Sequence, residues 1–238
     1  MFARVEVVSP KLVGGLQGRR SVRDAVLALQ RSSITTQRGP TTLIAADAST
    51  QFVNAITTFD PDELWRRETA RRRIGVPLDP TCVYVQLGAG RINTIHSEVR
   101  QVIDALLAHD SVHVVLGESM LGDRLAVDLD RVHLIRDYPN ALYLRAFDRC
   151  VQAGGYNSFH EMRTIGLPTL FLPNMQTVMD DQLARCQVAE SEGWGIVAAA
   201  DRSSITKDVE QLLLLEPINL PTSNASNGAD QIVDLILK

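Results

Sequence analysis

Short apolar runs alternate with amphipathic stretches over most of this chain. The run Val83-Tyr84-Val85-Gln86-Leu87 has the near-continuous hydrophobicity of a strand buried on both faces, and residues 94–108 place Val99, Val102, Ile103, Leu106 and Leu107 on one side of a helix. Residues 112–116 and 132–135 read as further strands. Their lack of polar alternation predicts a parallel sheet covered by helices on both faces, an α/β fold. A short helical piece over 140–147 follows Tyr138-Pro139. The approach Cys150-Val151-Gln152-Ala153 then turns at Gly154-Gly155 into a helix that starts at Asn157 or Ser158 and runs to about Thr164, where Gly166-Leu167-Pro168 stops it. A strand over 169–172, a helix over 182–192, a strand over 195–198 and a helix over 203–215 complete the alternation. In the last of these Val209, Leu212 and Leu213 point inward, with Leu214 and Leu215 adding apolar weight for docking. Pro217 and Pro221 bracket a linker, and residues 229–237 form a terminal helix.

The first part of the chain is less regular. Residues 4–8 and 41–46 read as strands and residues 21–30 as a helix, while Gly14-Gly15-Leu16-Gln17-Gly18 reads as a plain loop that matches no phosphate-binding pattern. Asp60-Pro61 opens a helix through Arg66-Arg67 and Arg71-Arg72-Arg73, and the arginines read as a solvated face. The division expected is 1–80 as a partial amino-terminal region with its linker, and 81–238 as the main domain.

Bulk properties narrow the function. With 238 residues, 45% of them hydrophobic, the chain can bury a full core, and no apolar run approaches the ~20 residues that span a bilayer. The opening residues show no signal-peptide pattern, so the expected location is the cytoplasm. Cys82, Cys150 and Cys186 are widely spaced and suggest neither a disulfide framework nor zinc. A net charge of −4 argues against general nucleic-acid binding, and the five histidines show no metal-ligand spacing.

Candidate chemistry concentrates between Val151 and Gln182, where strand, glycine turn, helix and strand follow in order. This is a βαβ unit whose first loop lies at a strand's carboxyl end, the usual ligand position in open α/β sheets. The first turn of a helix leaves backbone N–H groups without partners and carries partial positive charge, so a diphosphate is stabilised there. Gly154 and Gly155 let the backbone approach such an anion. A second reading fits the same letters: Ser158-Phe159-His160-Glu161 is S-x-x-E, a capping box that needs no ligand.

The ordered set Gly154-Gly155-Tyr156-Asn157-Ser158-Phe159-His160-Glu161, Gly166-Leu167-Pro168, Leu172-Pro173 and Asp181-Gln182 resembles the donor-binding signature of UDP-sugar glycosyltransferases of the GT-B fold. The resemblance extends upstream to residues 83–90 and downstream to Asn227-Gly228-Ala229, and it is similar both to the N-acetylglucosaminyltransferases of peptidoglycan synthesis and to small-molecule UDP-glycosyltransferases. It implies a Rossmann-like half of a GT-B architecture. It also implies metal-independent transfer from a UDP-sugar, preferably UDP-N-acetylglucosamine, to an acceptor the sequence does not identify, with the UDP-sugar as substrate and no separate cofactor.

By the same resemblance, Gly154, Gly155, Tyr156, Asn157 and Ser158 hold the diphosphate, Glu161 takes the ribose hydroxyls, and Asp181 and Gln182 take hydroxyls of the donor sugar. A carboxylate suits a cis-diol because it accepts two donors at once. Helix capping is the plain alternative for both Glu161 and Asp181. Backbone groups of Ile135 or Arg136 would hold the uracil, and Gly88, Gly90 and Asn93 would lie near the diphosphate, with a strand end and a tight turn as the plain alternatives. Ala153 stands where small-molecule UDP-glycosyltransferases usually carry a histidine, so extra charge on the phosphate must come from elsewhere; His160 is nearby. No catalytic base is assigned. About eighty residues are too few for a complete acceptor domain, so either a partner chain or second domain supplies the acceptor site, or the sequence is a truncated piece, or the region has been cut down in this family. Two rivals stand beside this reading: a non-catalytic nucleotide-sugar-binding subunit, and a GT-B epimerase of UDP-N-acetylglucosamine, against which the lack of a paired carboxylate and histidine set counts.

Overall fold

The computed structural model describes residues 53–87, 93–117, 128–135, 137–175, 181–199, 203–218 and 227–237. The strands and helix expected within 1–52 lie outside these residues, as do Gly88, Gly90 and Arg136.

Six parallel strands form one sheet in the order β3-β2-β1-β4-β5-β6. They are β1 (Thr81–Gln86), β2 (Val112–Gly117), β3 (Val132–Ile135), β4 (Arg149–Gln152), β5 (Thr169–Phe171) and β6 (Gly195–Val197). The helices between and around them are α1 (Arg67–Ile74), α2 (Asn93–Leu107), α3 (Tyr156–Ile165), α4 (Gln182–Ser191), α5 (Ile205–Leu214) and α6 (Gly228–Ile236). The strand order runs outward in both directions from β1 and β4, which pair directly, Gln86 beside Gln152. That point of reversal is where an open α/β sheet leaves a crevice at its carboxyl edge.

Strand alternation separates two apolar layers. Cys82 and Tyr84 face a cluster with Ala70 of α1, Phe159 and Met162 of α3, and Cys186 and Ala189 of α4. Val83 and Val85 face the other, with Val102, Ile103 and Leu106 of α2 and Val209 and Leu212 of α5. Helices therefore cover both faces, as the apolar strand runs require. Phe159, Phe171 and Trp194 meet at centroid separations of 5.2 to 5.8 Å on the first face, just beneath the α3 helix.

Residues 53–80 belong to the same packing, with Phe59, Leu64 and Val76 in the first cluster. The helix expected to run unbroken from Asp60 is interrupted. Pro61–Glu63 form a single 3-10 turn, the backbone is extended at Leu64 and Arg66, and α1 begins at Arg67. Packing of Trp65 explains the break: its N–H donates to the Leu142 carbonyl at 3.1 Å, its ring meets Tyr143 edge-on at 4.6 Å, and Arg73 lies 4.1 Å over it.

The arginine run also divides. Arg66, Arg72 and Arg73 are exposed as expected, but Arg71 is wholly buried. Its guanidinium donates to the carbonyls of Ala146, Pro77, Leu78 and Pro80 and to Asp148 Oδ2 at 2.7 Å. Asp148 Oδ2 accepts the Cys82 N–H as well, so this pair ties α1 to β1 at the foot of the central strands. At the end of α5, Arg149 donates to the carbonyls of Leu212 and Leu213, while Leu214 is 79% exposed and does no docking. Among the described residues no helix is long and apolar enough to cross a membrane.

The terminal helix α6 packs Ala229 and Ile232 on Val53 and Ile56. Gly228 permits that approach, since a β-carbon there would collide with the Asn54 carbonyl.

Candidate functional site

The chain leaves β4 at Gln152 and turns through Ala153, Gly154 and Gly155 into α3, beside the end of β1. The turn thus opens onto the crevice. Gly154 has φ +80°, and a β-carbon on it would run into Cys186 Sγ of α4, so backbone and space both demand glycine. Gly155 is the N-cap of α3 in an extended conformation, and a β-carbon on it would meet nothing within 4 Å. One glycine is packed from behind while the next faces open space.

The first backbone bond of α3 runs from the Phe159 N–H to the Gly155 carbonyl at 2.8 Å. The N–H groups of Tyr156, Asn157 and Ser158 therefore precede the intrahelical ladder, where the helix dipole places positive charge. This corrects the start expected at Asn157 or Ser158. Because α3 begins at Tyr156, Ser158 is its third residue and no N-cap, and the capping box between Ser158 and Glu161 does not form. Glu161 instead accepts the hydroxyl of Thr58 on its Oε1 at 2.7 Å, from a segment 103 positions earlier. The Ser158 carbonyl accepts from the buried Gln152 amide at 3.3 Å, which fastens the new helix to the strand before it.

His160 turns into the protein. It is 7% exposed, with the rings of Tyr156 and Phe159 at 4.4 and 5.2 Å. Burial, with smaller contributions from Arg185 and Arg163, pushes its pKa down to about 3, so the imidazole is neutral and adds no charge to an anion. Among the described residues, Arg185 brings a cation to the glycine turn. It is 4% exposed on α4, donates through Nη1 to the Gly154 carbonyl at 2.8 Å, and lies 5.7 Å from the Tyr156 ring. Sequence reasoning missed it. The available signal is its register on α4, four residues before the buried Ala189 and on the same inward stripe.

Asp181 is the N-cap of α4, with Oδ1 accepting the Ala184 N–H at 2.9 Å. Gln182 Oε1 accepts the Asn174 N–H at 3.0 Å, so it braces the turn after β5. The Gln182 carbonyl comes within 4.0 Å of the position a Gly154 β-carbon would take. The start of α4, with Asp181 and Gln182, therefore adjoins the turn at Gly154 and Gly155, while Tyr156, Asn157, Ser158 and Glu161 follow on the first turns of α3. Ile135 ends the edge strand β3, buried and three strands from β4, about 14 Å across the same edge of the sheet.

Solved structures share the fold. A spinosyn rhamnosyltransferase matches with a TM-score of 0.52 at 17% identity over 82% of this chain and 50% of that one. A kitacinnamycin glycotransferase matches at 0.52, 18%, 79% and 48%, and the calicheamicin glycosyltransferase CalG4 at 0.51, 19%, 80% and 44%. No protein-family model matches the chain, and no curated protein does. The likeness is one of fold: this chain has the α/β, Rossmann-like architecture of the carboxyl-terminal half of the GT-B glycosyltransferases, and it spans about half the length of the solved proteins it matches.

Proposed function

We propose that the chain binds a UDP-sugar across the turn between β4 and α3 and serves as the donor half of a metal-independent glycosyltransferase. The observation that carries this reading is the opening of α3: a glycine turn at the reversal of strand order, an N-cap with open space beside it, and three backbone N–H groups ahead of the helical ladder. An anion with two phosphates suits such a turn. In transfer, the bond between the anomeric carbon and the diphosphate oxygen breaks as an acceptor hydroxyl attacks that carbon, and the hydroxyl's proton passes to a base on the acceptor side. Negative charge then grows on the leaving diphosphate, and amides already oriented at Tyr156, Asn157 and Ser158 stabilise it without reorganising. Glu161 receives the ribose hydroxyls, and Asp181 and Gln182 receive hydroxyls of the sugar. UDP-N-acetylglucosamine is the preferred donor on resemblance, and the acceptor site comes from a second domain or partner chain.

A second reading, a nucleotide-sugar-binding subunit without turnover of its own, uses the same turn between β4 and α3 and needs no catalytic base. One experiment separates the two. UDP-N-acetylglucosamine, UDP-glucose and TDP-glucose are titrated into the full chain with and without EDTA, and UDP release is followed over hours. Donor transfer predicts binding that EDTA leaves unchanged together with slow UDP release, water taking the sugar where the acceptor site is absent. Binding without release across a panel of acceptors supports the subunit, and absence of binding overturns both.

A further inference from the structure

Glu161 is held from outside the sheet that carries it. Thr58 Oγ1 donates to Glu161 Oε1 at 2.7 Å, and Thr58 sits in the stretch that precedes α1. That stretch is in turn fixed by the terminal helix. The Asn227 amide donates to the Thr57 carbonyl at 3.0 Å, to Thr57 Oγ1 at 3.1 Å and to Asp60 Oδ1 at 3.3 Å, while Gln231 Oε1 accepts the Asn54 N–H at 2.7 Å. The Thr57 hydroxyl donates to the Phe59 carbonyl, and the Gly228 N–H donates to the Ala55 carbonyl. The backbone on both sides of Thr58 is therefore pinned, and its hydroxyl is delivered to one carboxylate oxygen in a defined place.

A glutamate on a helix surface has three rotatable bonds, and a carboxylate that must meet a diol loses affinity when those bonds are unrestrained. A charge-assisted bond to a fixed hydroxyl removes that freedom and still leaves acceptor capacity, because each carboxylate carries about four lone-pair sites. We propose that Thr58 is a positioning residue for ribose recognition: it sets the Glu161 carboxylate to accept the ribose hydroxyls of a nucleoside diphosphate, and Asn227 holds Thr58 in place. This rests on the assignment of Glu161 to the ribose. It makes the segment before the sheet, together with the terminal helix, part of the nucleotide site.

The test compares UDP with 2′,3′-dideoxyuridine diphosphate by calorimetric titration into the full chain and its variants. The wild-type chain is expected to prefer UDP, and Glu161→Gln to lose that preference. Thr58→Val is expected to lower UDP affinity about tenfold while leaving the dideoxy nucleotide unchanged, and Thr58→Ser to restore the preference, since the serine hydroxyl replaces the donor. Asn227→Ala should reproduce a smaller part of the Thr58→Val effect. If Glu161→Gln retains the preference, the ribose assignment falls and the proposal with it. If Glu161→Gln loses the preference but Thr58→Val keeps it, or if Thr58→Val weakens both nucleotides equally and Thr58→Ser does not restore it, the role of Thr58 is overturned while the ribose assignment stands.

Discussion

The guanidinium of Arg185 donates to the carbonyl of Gly154 at 2.8 Å across 31 positions of sequence, joining α4 to the turn that opens α3. The same bond brings a buried positive charge beside that turn. Arg185→Met removes the donor and the charge together. UDP affinity should fall by about tenfold or more, since hydrogen bonds involving a charged group contribute about 1.5–3 kcal/mol. Titration calorimetry with a parallel thermal melt checks this: unchanged affinity in a folded variant would remove Arg185 from the site.

The two glycines of the turn should respond in opposite ways. Gly154→Ala places a β-carbon against Cys186 Sγ at a φ of +80°, and should destabilise by roughly 2–4 kcal/mol from left-handed strain and overpacking. Gly155→Ala meets nothing within 4 Å at an ordinary φ, and should change stability by less than about 0.5 kcal/mol. Urea unfolding measures both. Weakened nucleotide binding in the stable Gly155→Ala chain would report a ligand at that open face.

Arg71 and Asp148 should prove indispensable for folding and irrelevant to chemistry. Arg71→Met removes one partner of a pair whose guanidinium is fully buried and takes the donor from four carbonyls, while Asp148 keeps Arg67 and the Cys82 N–H. The expected loss is about 3–5 kcal/mol, read as a shift of the urea midpoint at constant slope.

Acid should act through His160. Its folded pKa is depressed to about 3 by burial, while an unfolded histidine titrates near 6.5, so the unfolded chain binds the extra proton between these values. The stabilisation is complete above about pH 6.5 and falls as pH drops, by on the order of 2 kcal/mol by pH 5. His113 and His133, whose ring nitrogens lie 3.0 Å apart, are both shifted down, chiefly by burial, and push in the same direction. Melting temperatures recorded from pH 7 to pH 5 should decline in the wild-type chain and decline less in His160→Gln, and equal slopes would show that the imidazole is not buried as described.

The strands were legible because each is a nearly unbroken apolar run, and only a two-sided sheet makes use of such runs. Val83 and Val85 facing one layer while Cys82 and Tyr84 face the other is that reading made concrete. The order of strands was not legible, because it depends on pairings such as Gln86 with Gln152 that no local pattern encodes. At the site, the glycine turn and its helix were visible. The helix start was misplaced because Ser158 and Glu161 imitate a capping box, whereas the cap is Gly155, a residue with no side chain to announce it. Arg71 and Arg185 escaped for a common reason. Periodicity counts arginine as polar and therefore exposed, but a guanidinium supplied with enough carbonyls and carboxylates can be buried, as both are. Trp65 broke an otherwise good helical pattern through a contact with Leu142 and Tyr143, which tertiary packing alone reveals.

The central claim is that the turn at Gly154 and Gly155 receives the diphosphate of a uridine nucleotide. Calorimetric titration of uridine, UMP and UDP into the full chain tests it most directly, with Glu161→Ala alongside. The account predicts affinity rising from uridine through UMP to UDP, because each phosphate adds charge at the α3 amides, and a marked loss for all three in the variant. Equal affinity for the three, or no binding of UDP at all, would contradict it and leave the turn as a structural feature of the fold.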